Sequence, residues 1–169
     1  MSIENLKPSQ IADNIKRYRE RGVATGGPFS LAQLLQEQNR RAKPGVFGTV
    51  ETAQKIIELS QQSSDGLISY GDLWTAFRPD EKWSVFKSRT AVTKALEQVG
   101  YYCVRHKLPL IITLVVNASQ NELTDQAKDN IYNAWTERGL VTASERDTFI
   151  DEQQQLSKKL VAANLPPES

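Results

Sequence analysis

One cysteine and one histidine, three residues apart as Cys103 and His106, are the first place to look for chemistry, because a thiol beside an imidazole can be activated as a nucleophile. On a helix this spacing sets the two side chains about one turn apart. Cys103 falls on the apolar face of its helix, where burial raises a thiol's pKa and leaves it inert, and no third group stands nearby to orient the histidine. The pair therefore reads as core packing plus a surface histidine. One Cys and one His also fall short of a zinc ligand set, and a lone cysteine has no intramolecular disulfide partner. Asp72 with Asp80 or Glu81 could hold Mg²⁺ for nuclease chemistry, but solvated loop acids are the plainer reading. The sequence contains no Gly-x-Ser-x-Gly, Walker loop or His-Glu-x-x-His, and "GVATGG" at 22–27 follows a helix rather than a strand, so it is a loop and not a phosphate cradle. We expect no catalysis, no metal and no cofactor.

Binding chemistry is better represented. Ser88, Arg89, Thr90, Thr93 and Lys94 combine two cations and three hydroxyls at the start of a helix, with Ser88 expected to cap it and the first free N–H groups adding to a phosphate-contacting face. An ordinary solvated helix start is the bland alternative. In the preceding loop, Trp83 and Phe86 stand beside Lys82 and Lys87 and admit three readings: base stacking, a protein-contact patch, or a lid folded back on the core. The lid comes first, because loop aromatics usually fold back. Tyr132 and Trp135 lie in an acidic C-terminal third and are candidates for contact with a protein partner.

Charge supports this division. Residues 1–62, 63–118 and 119–169 carry +3, +2 and −4, so the first two thirds could face phosphate and the last third would not.

These side chains must be positioned by helices. Ser9 is expected to cap a helix through Ile11, Ile15 and Tyr18 that Gly22 stops; Ser30 caps one with Leu31, Leu34 and Leu35 on its apolar stripe. A third begins at Thr49 or Thr52 and buries Val50, Ala53, Ile56, Ile57 and Ser60 before the Asp65-Gly66 turn. From Leu67 the pattern reads edge strand, short helix through Leu73, Trp74 and Phe77, loop, long helix through Val92, Ala95, Leu96, Val99 and Cys103, then "LPLIITLVVNASQ" as a strand covered on both faces. Thr124 starts a helix that Gly139 ends, and a capping box from Thr142 to Glu145 starts the last one.

Strand, helix, turn, helix, strand is the plan of a winged helix. "SYGDL" at 69–73, "AVTKAL" at 91–96 and "PLIITLVV" at 109–116 together resemble the C-terminal winged-helix domain of the alkylguanine-DNA alkyltransferases and alkyltransferase-like proteins. The resemblance implies duplex DNA as partner and gives Tyr70 the place of the family's nucleotide-flipping tyrosine. Its arginine has no equivalent in register, since Thr90 precedes Ala91-Val92 and Arg89 lies one place earlier. Where the family carries Pro-Cys-His-Arg, this chain has Thr113 and Leu114, so the acceptor thiol is missing and alkyl transfer is not implied.

The expected architecture is α+β and mostly α. Its parts are an N-terminal helical region at 1–66, a winged helix-turn-helix core with a short sheet at 67–118, and a C-terminal helical pair at 119–169, forming one compact unit. The leading functional expectation is a non-catalytic, regulatory DNA-binding protein. The alternative is a protein-interaction module, such as a phage or mobile-element inhibitor of host defence or an assembly adaptor, with the helical arms as candidates for a homodimer contact. A nuclease or other enzyme comes last. A polar N-terminus, and no apolar run of the ~18 to 20 residues a membrane span needs, point to a cytoplasmic protein without membrane contact.

Overall fold

A computed structural model describes residues 1–117, 122–140 and 142–168. Among them the elements are α1 (Pro8–Arg21), α2 (Leu31–Arg41), α3 (Thr49–Gln62), β1 (Ile68–Ser69), α4 (Tyr70–Phe77), α5 (Lys87–Arg105), β2 (Val115–Val116), α6 (Asp125–Glu137) and α7 (Arg146–Lys158), with short 3₁₀ turns at Ile3–Asn5, Ile111–Leu114 and Ala162–Asn164. The chain is α+β and mostly α. No helix among the described residues is long and apolar enough to cross a membrane.

The chain divides into two compact units, and the division differs from the three-part expectation. The first unit takes residues 1–43 together with 133–142; the second takes 44–132 and 143–168. The boundary near Pro44 places α3 with α4 and α5, because its buried face of Thr52, Ala53, Ile56, Ile57 and Ser60 packs against α5, α4, α7 and the 3₁₀ turn at 111–114.

In the first unit, α1 and α2 pack through Ile11, Ile15, Leu31, Leu34 and Leu35, with Ile3, Leu6, Tyr18 and Phe29 half-buried around them. Capping residues fix both helices. Gly22 adopts φ 64° to end α1, a left-handed conformation without steric penalty for glycine. The α1 start lies at Pro8 rather than behind a Ser9 cap, since proline lacks the N–H that the first turn leaves unpaired and the Gln10 side chain accepts from Lys7 N at 2.7 Å. Ser30 and Gln33 form the expected reciprocal cap on α2, at 3.2 and 2.8 Å.

In the second unit, α5 lies on α3 and α4 with Val92, Ala95, Val99, Tyr102 and Cys103 essentially inaccessible. Strands β1 and β2 pair in parallel, Ile68 with Val115 and Ser69 with Val116, and α4 and α5 supply the long crossover that parallel pairing requires. The expected long strand at 108–120 is not what residues 108–117 form. Ile111–Leu114 turn into a 3₁₀ helix, and only Val115–Val116 pair as strand, while 118–120 fall outside the described residues. The physical reason lies in α7. Gln153 accepts from Leu110 N at 2.7 Å and Gln154 donates to Thr113 O at 2.9 Å, so glutamine side chains satisfy backbone groups that a neighbouring strand would otherwise pair. Thr124 caps α6 by accepting from Ala127 N at 3.1 Å, whereas the N-cap of α7 is Glu145, not Thr142.

Candidate functional site

The start of α5 holds most of the predicted binding residues and is built by the loop before it. Trp74, buried in α4, donates its indole N–H to Glu81 O at 3.0 Å, and Glu81 N returns to Arg78 O at 3.1 Å, so the base of the loop is pinned to the core. Phe47 backs this corner, stacked on Phe77 at 4.6 Å and edge-on to Trp74 at 6.0 Å, with the Arg78 guanidinium 5.1 Å above its ring. The loop leaves this anchor and enters α5 through Ser84.

The N-cap of α5 is Phe86, without a side-chain cap, and Ser84 rather than Ser88 supplies the acceptors for the first turn. Its carbonyl accepts from Ser88 N at 2.9 Å, and its hydroxyl faces Lys87 N at 3.4 Å; Ser88 Oγ in turn accepts from Ser84 N at 2.8 Å. This reciprocal arrangement occupies the amides expected to be free for phosphate, and it buries Ser88 completely. Ser88 is therefore removed from the candidate surface. The sequence pattern places the first-turn acceptor one turn late because both serines precede the apolar periodicity.

The remaining residues of the group are presented to solvent. Phe86 has helical dihedrals, and at about 100° per residue Phe86, Thr90, Thr93 and Glu97 form one strip up the helix, with Arg89 and Lys94 on its flanks. Arg89, Thr90 and Thr93 are exposed, and Lys94 is half-buried with its stem close to Gly45. Neither Arg89, Lys94 nor Lys82 has an ion-pair partner among the described residues; Lys87 approaches Glu81 at 3.5 Å, both largely exposed, which is a weak pair. Tyr70 stands half-buried in the first turn of α4, behind the Ser69–Asp72 reciprocal cap. That cap engages Asp72, whose carboxylate accepts from Ser69 N at 2.9 Å and so caps the helix start.

The expected lid is overturned at Phe86. Phe86 is 87% exposed and Val85 66%, so these two side chains stand away from the core, whereas Trp83 at 39% is more than half covered. Val85 escapes the sequence reading altogether. Phe47, Trp74 and Phe77 pack on one another at the base of the loop, where Trp74 bonds Glu81 O.

The C-terminal aromatics are engaged internally. Trp135 is buried with Arg138 5.4 Å over its ring, and Tyr132 donates to Ser144 O at 2.9 Å while meeting Phe149 edge-on at 5.4 Å. Trp135 is thus corrected from a partner-binding residue to a packing one, and Tyr132 serves chiefly to hold α6 to the start of α7. Cys103 is fully buried, and burial pushes its thiol up to about 12, so it carries no thiolate at neutral pH. His106 instead bonds Glu168 at 3.0 Å, which Arg105 also contacts.

A concavity belongs to the first unit. A groove of about 290 Å³ is lined by Leu6, Arg17, Tyr18, Arg21, Val23 and Phe29, among others. Tyr18 shapes it by donating to Phe29 O at 2.5 Å and accepting from Gly27 N at 2.9 Å; a side chain at Gly27 would begin 2.8 Å from that hydroxyl. It contains no acid–base pair.

No protein-family model, curated protein or solved structure matches the chain.

Proposed function

We propose that this is a non-catalytic nucleic-acid-binding protein in which the first two turns of α5 lie along a phosphate backbone, on a frame related in plan to a winged helix. One observation carries the reading: the exposed Arg89, without an ion-pair partner among the described residues, and Lys94 flank the hydroxyls of Thr90 and Thr93 on one helix start; Arg17 and Arg21 of α1 are also exposed and without an ion pair among the described residues but have no such hydroxyl strip between them. Cations without partners at hydroxyl-bearing positions suit phosphate contacts, which position a protein without reading sequence. The element order β1, α4, α5, β2 is compatible with the winged-helix plan and with the alkyltransferase-like resemblance, minus its acceptor cysteine.

The test is a fluorescence-anisotropy titration against random-sequence DNA at several salt concentrations. Arg89→Ala with Lys94→Ala is expected to weaken binding and to lower the salt slope by about 1.8, at about 0.9 for each phosphate that is no longer neutralised. Unchanged binding in the double variant sinks the proposal.

A second reading, a protein-interaction module, keeps the exposed Val85 and Phe86 as its support now that Tyr132 and Trp135 are occupied. Self-association through this knob is checked by sedimentation: a concentration-dependent dimer abolished by Phe86→Ser would favour it.

A further inference from the structure

Resting on the reading of α5 as a nucleic-acid face, we propose that the 82–87 loop makes the site selective for unpaired bases, with Trp83 and Phe86 as stacking platforms and Lys82, Arg89 and Lys94 following the strand's phosphates. Three observations converge. Phe86 is largely and Trp83 partly open to solvent, and the two rings lie in sequence between Lys82 on one side and Lys87 and Arg89 on the other, so a single strand with its bases on the rings would meet cations at both ends of the stack. Both rings are held on a fixed base, because the Trp74–Glu81 hydrogen bond anchors one end of the loop and the Ser84–Ser88 exchange anchors the other. Finally, the first amides of α5 are taken up by the Ser84 and Phe86 carbonyls, so the anion-binding capacity of a bare helix start is absent here and side chains must supply the contacts.

An intact duplex keeps its bases stacked on one another and out of reach of these rings. A single strand, a melted segment or a fork offers free π-faces. Lipid is the weaker occupant, because the exposed Asp80 and Glu81 directly precede Lys82 and Trp83 in the same loop and would be pressed against an anionic bilayer plane, whereas a narrow strand touches less of the loop.

The test compares a fluorescein-labelled thymidine oligomer with the same oligomer annealed to its complement. The single strand is expected to bind at least about tenfold tighter and to quench Trp83 emission, Trp74 and Trp135 being buried. Trp83→Ala and Phe86→Ala should each lower single-strand affinity roughly tenfold, the scale of one base stacked on one ring, and leave duplex affinity unchanged. Phe86→Leu keeps an apolar side chain and removes the ring, so it should behave like Phe86→Ala; full retention of binding would replace stacking with generic apolar contact and overturn the proposal. Equal affinity for strand and duplex, insensitive to Trp83 and Phe86, overturns this inference and leaves the α5 reading standing. No binding to either form removes both. Binding to phosphatidylserine vesicles, abolished in Trp83→Ala, with no binding to DNA, assigns the loop to a lipid surface instead.

Discussion

Two places in this molecule bring arginine together with aromatic or buried surroundings, and they use the cation in opposite ways. In the first unit Glu37 is buried and accepts from Arg40 at 2.7 Å and Arg41 at 2.6 Å, while Arg41 continues to the carbonyls of Ile3, Glu4 and Leu6, tying the N-terminal 3₁₀ turn to α2; on the 133–142 segment Arg138 covers the buried Trp135. At the start of α5, Arg89, Lys82 and Lys94 have no ion-pair partner among the described residues, Phe86 faces water and Trp83 is partly open to it. Similar residue types hold a fold together in one region and stand open to an external partner in the other. What separates them is whether a buried acceptor lies within reach.

The comparison breaks first at the tryptophans. Trp135→Ala should cost about 3 to 5 kcal/mol, since it empties a packed site and uncovers Arg138, whereas Trp83→Ala, at a partly covered residue, should cost about 1 kcal/mol. Chemical denaturation of both variants measures this; equal costs would mean that Trp83 packs as fully as Trp135. Next in size, Glu37→Gln should cost about 1 to 3 kcal/mol by leaving Arg41 without its charge partner. The arginines hold the Glu37 carboxyl down to about 2, well below its ordinary 4.5. A carboxyl depressed in the folded state stabilises fully above the unfolded value and loses that contribution as pH falls through the folded one. Wild-type stability should therefore decline between pH 4.5 and 2 more steeply than that of Glu37→Gln, as thermal melts across this range will show. Parallel curves would mean that Glu37 is not a net contributor.

Legibility in the sequence follows the range of the interaction. Helices α2 and α5 are readable because Leu31, Leu34 and Leu35, or Val92, Ala95 and Val99, recur at helical spacing, and the Ser30 cap and the Gly22 stop act within one turn. The 110–116 run reads as strand and largely is not one, because its backbone partners are Gln153 and Gln154, some forty positions away, in a glutamine stretch that carries no apolar signal. Likewise, nothing local says that residues 133–142 belong with α1 and α2. Within the candidate site, the exposure of Arg89, Thr90 and Thr93 at a helix start is legible, yet Ser88 is not separable from Ser84. Whether loop aromatics fold back depends on tertiary packing that no local pattern encodes, and here Phe86 stands 87% exposed.

The first turn and the cations divide the α5 site further. Ser84→Ala should cost about 0.5 kcal/mol, since it removes only the 3.4 Å contact to Lys87 N, and should speed hydrogen exchange at the Lys87 amide while leaving Ser88, held by the Ser84 backbone carbonyl, unchanged. Smaller still, Arg89→Ala combined with Lys94→Met should leave stability within about 0.5 kcal/mol. Methionine keeps the stem that lies near Gly45 and removes only the charge. A neutral result for stability together with a weakened salt dependence in DNA binding would place both cations outside the fold's own requirements. If the double variant instead unfolds early, Arg89 and Lys94 belong with Arg41 as structural cations, and the contrast between the two regions fails at its most exposed point.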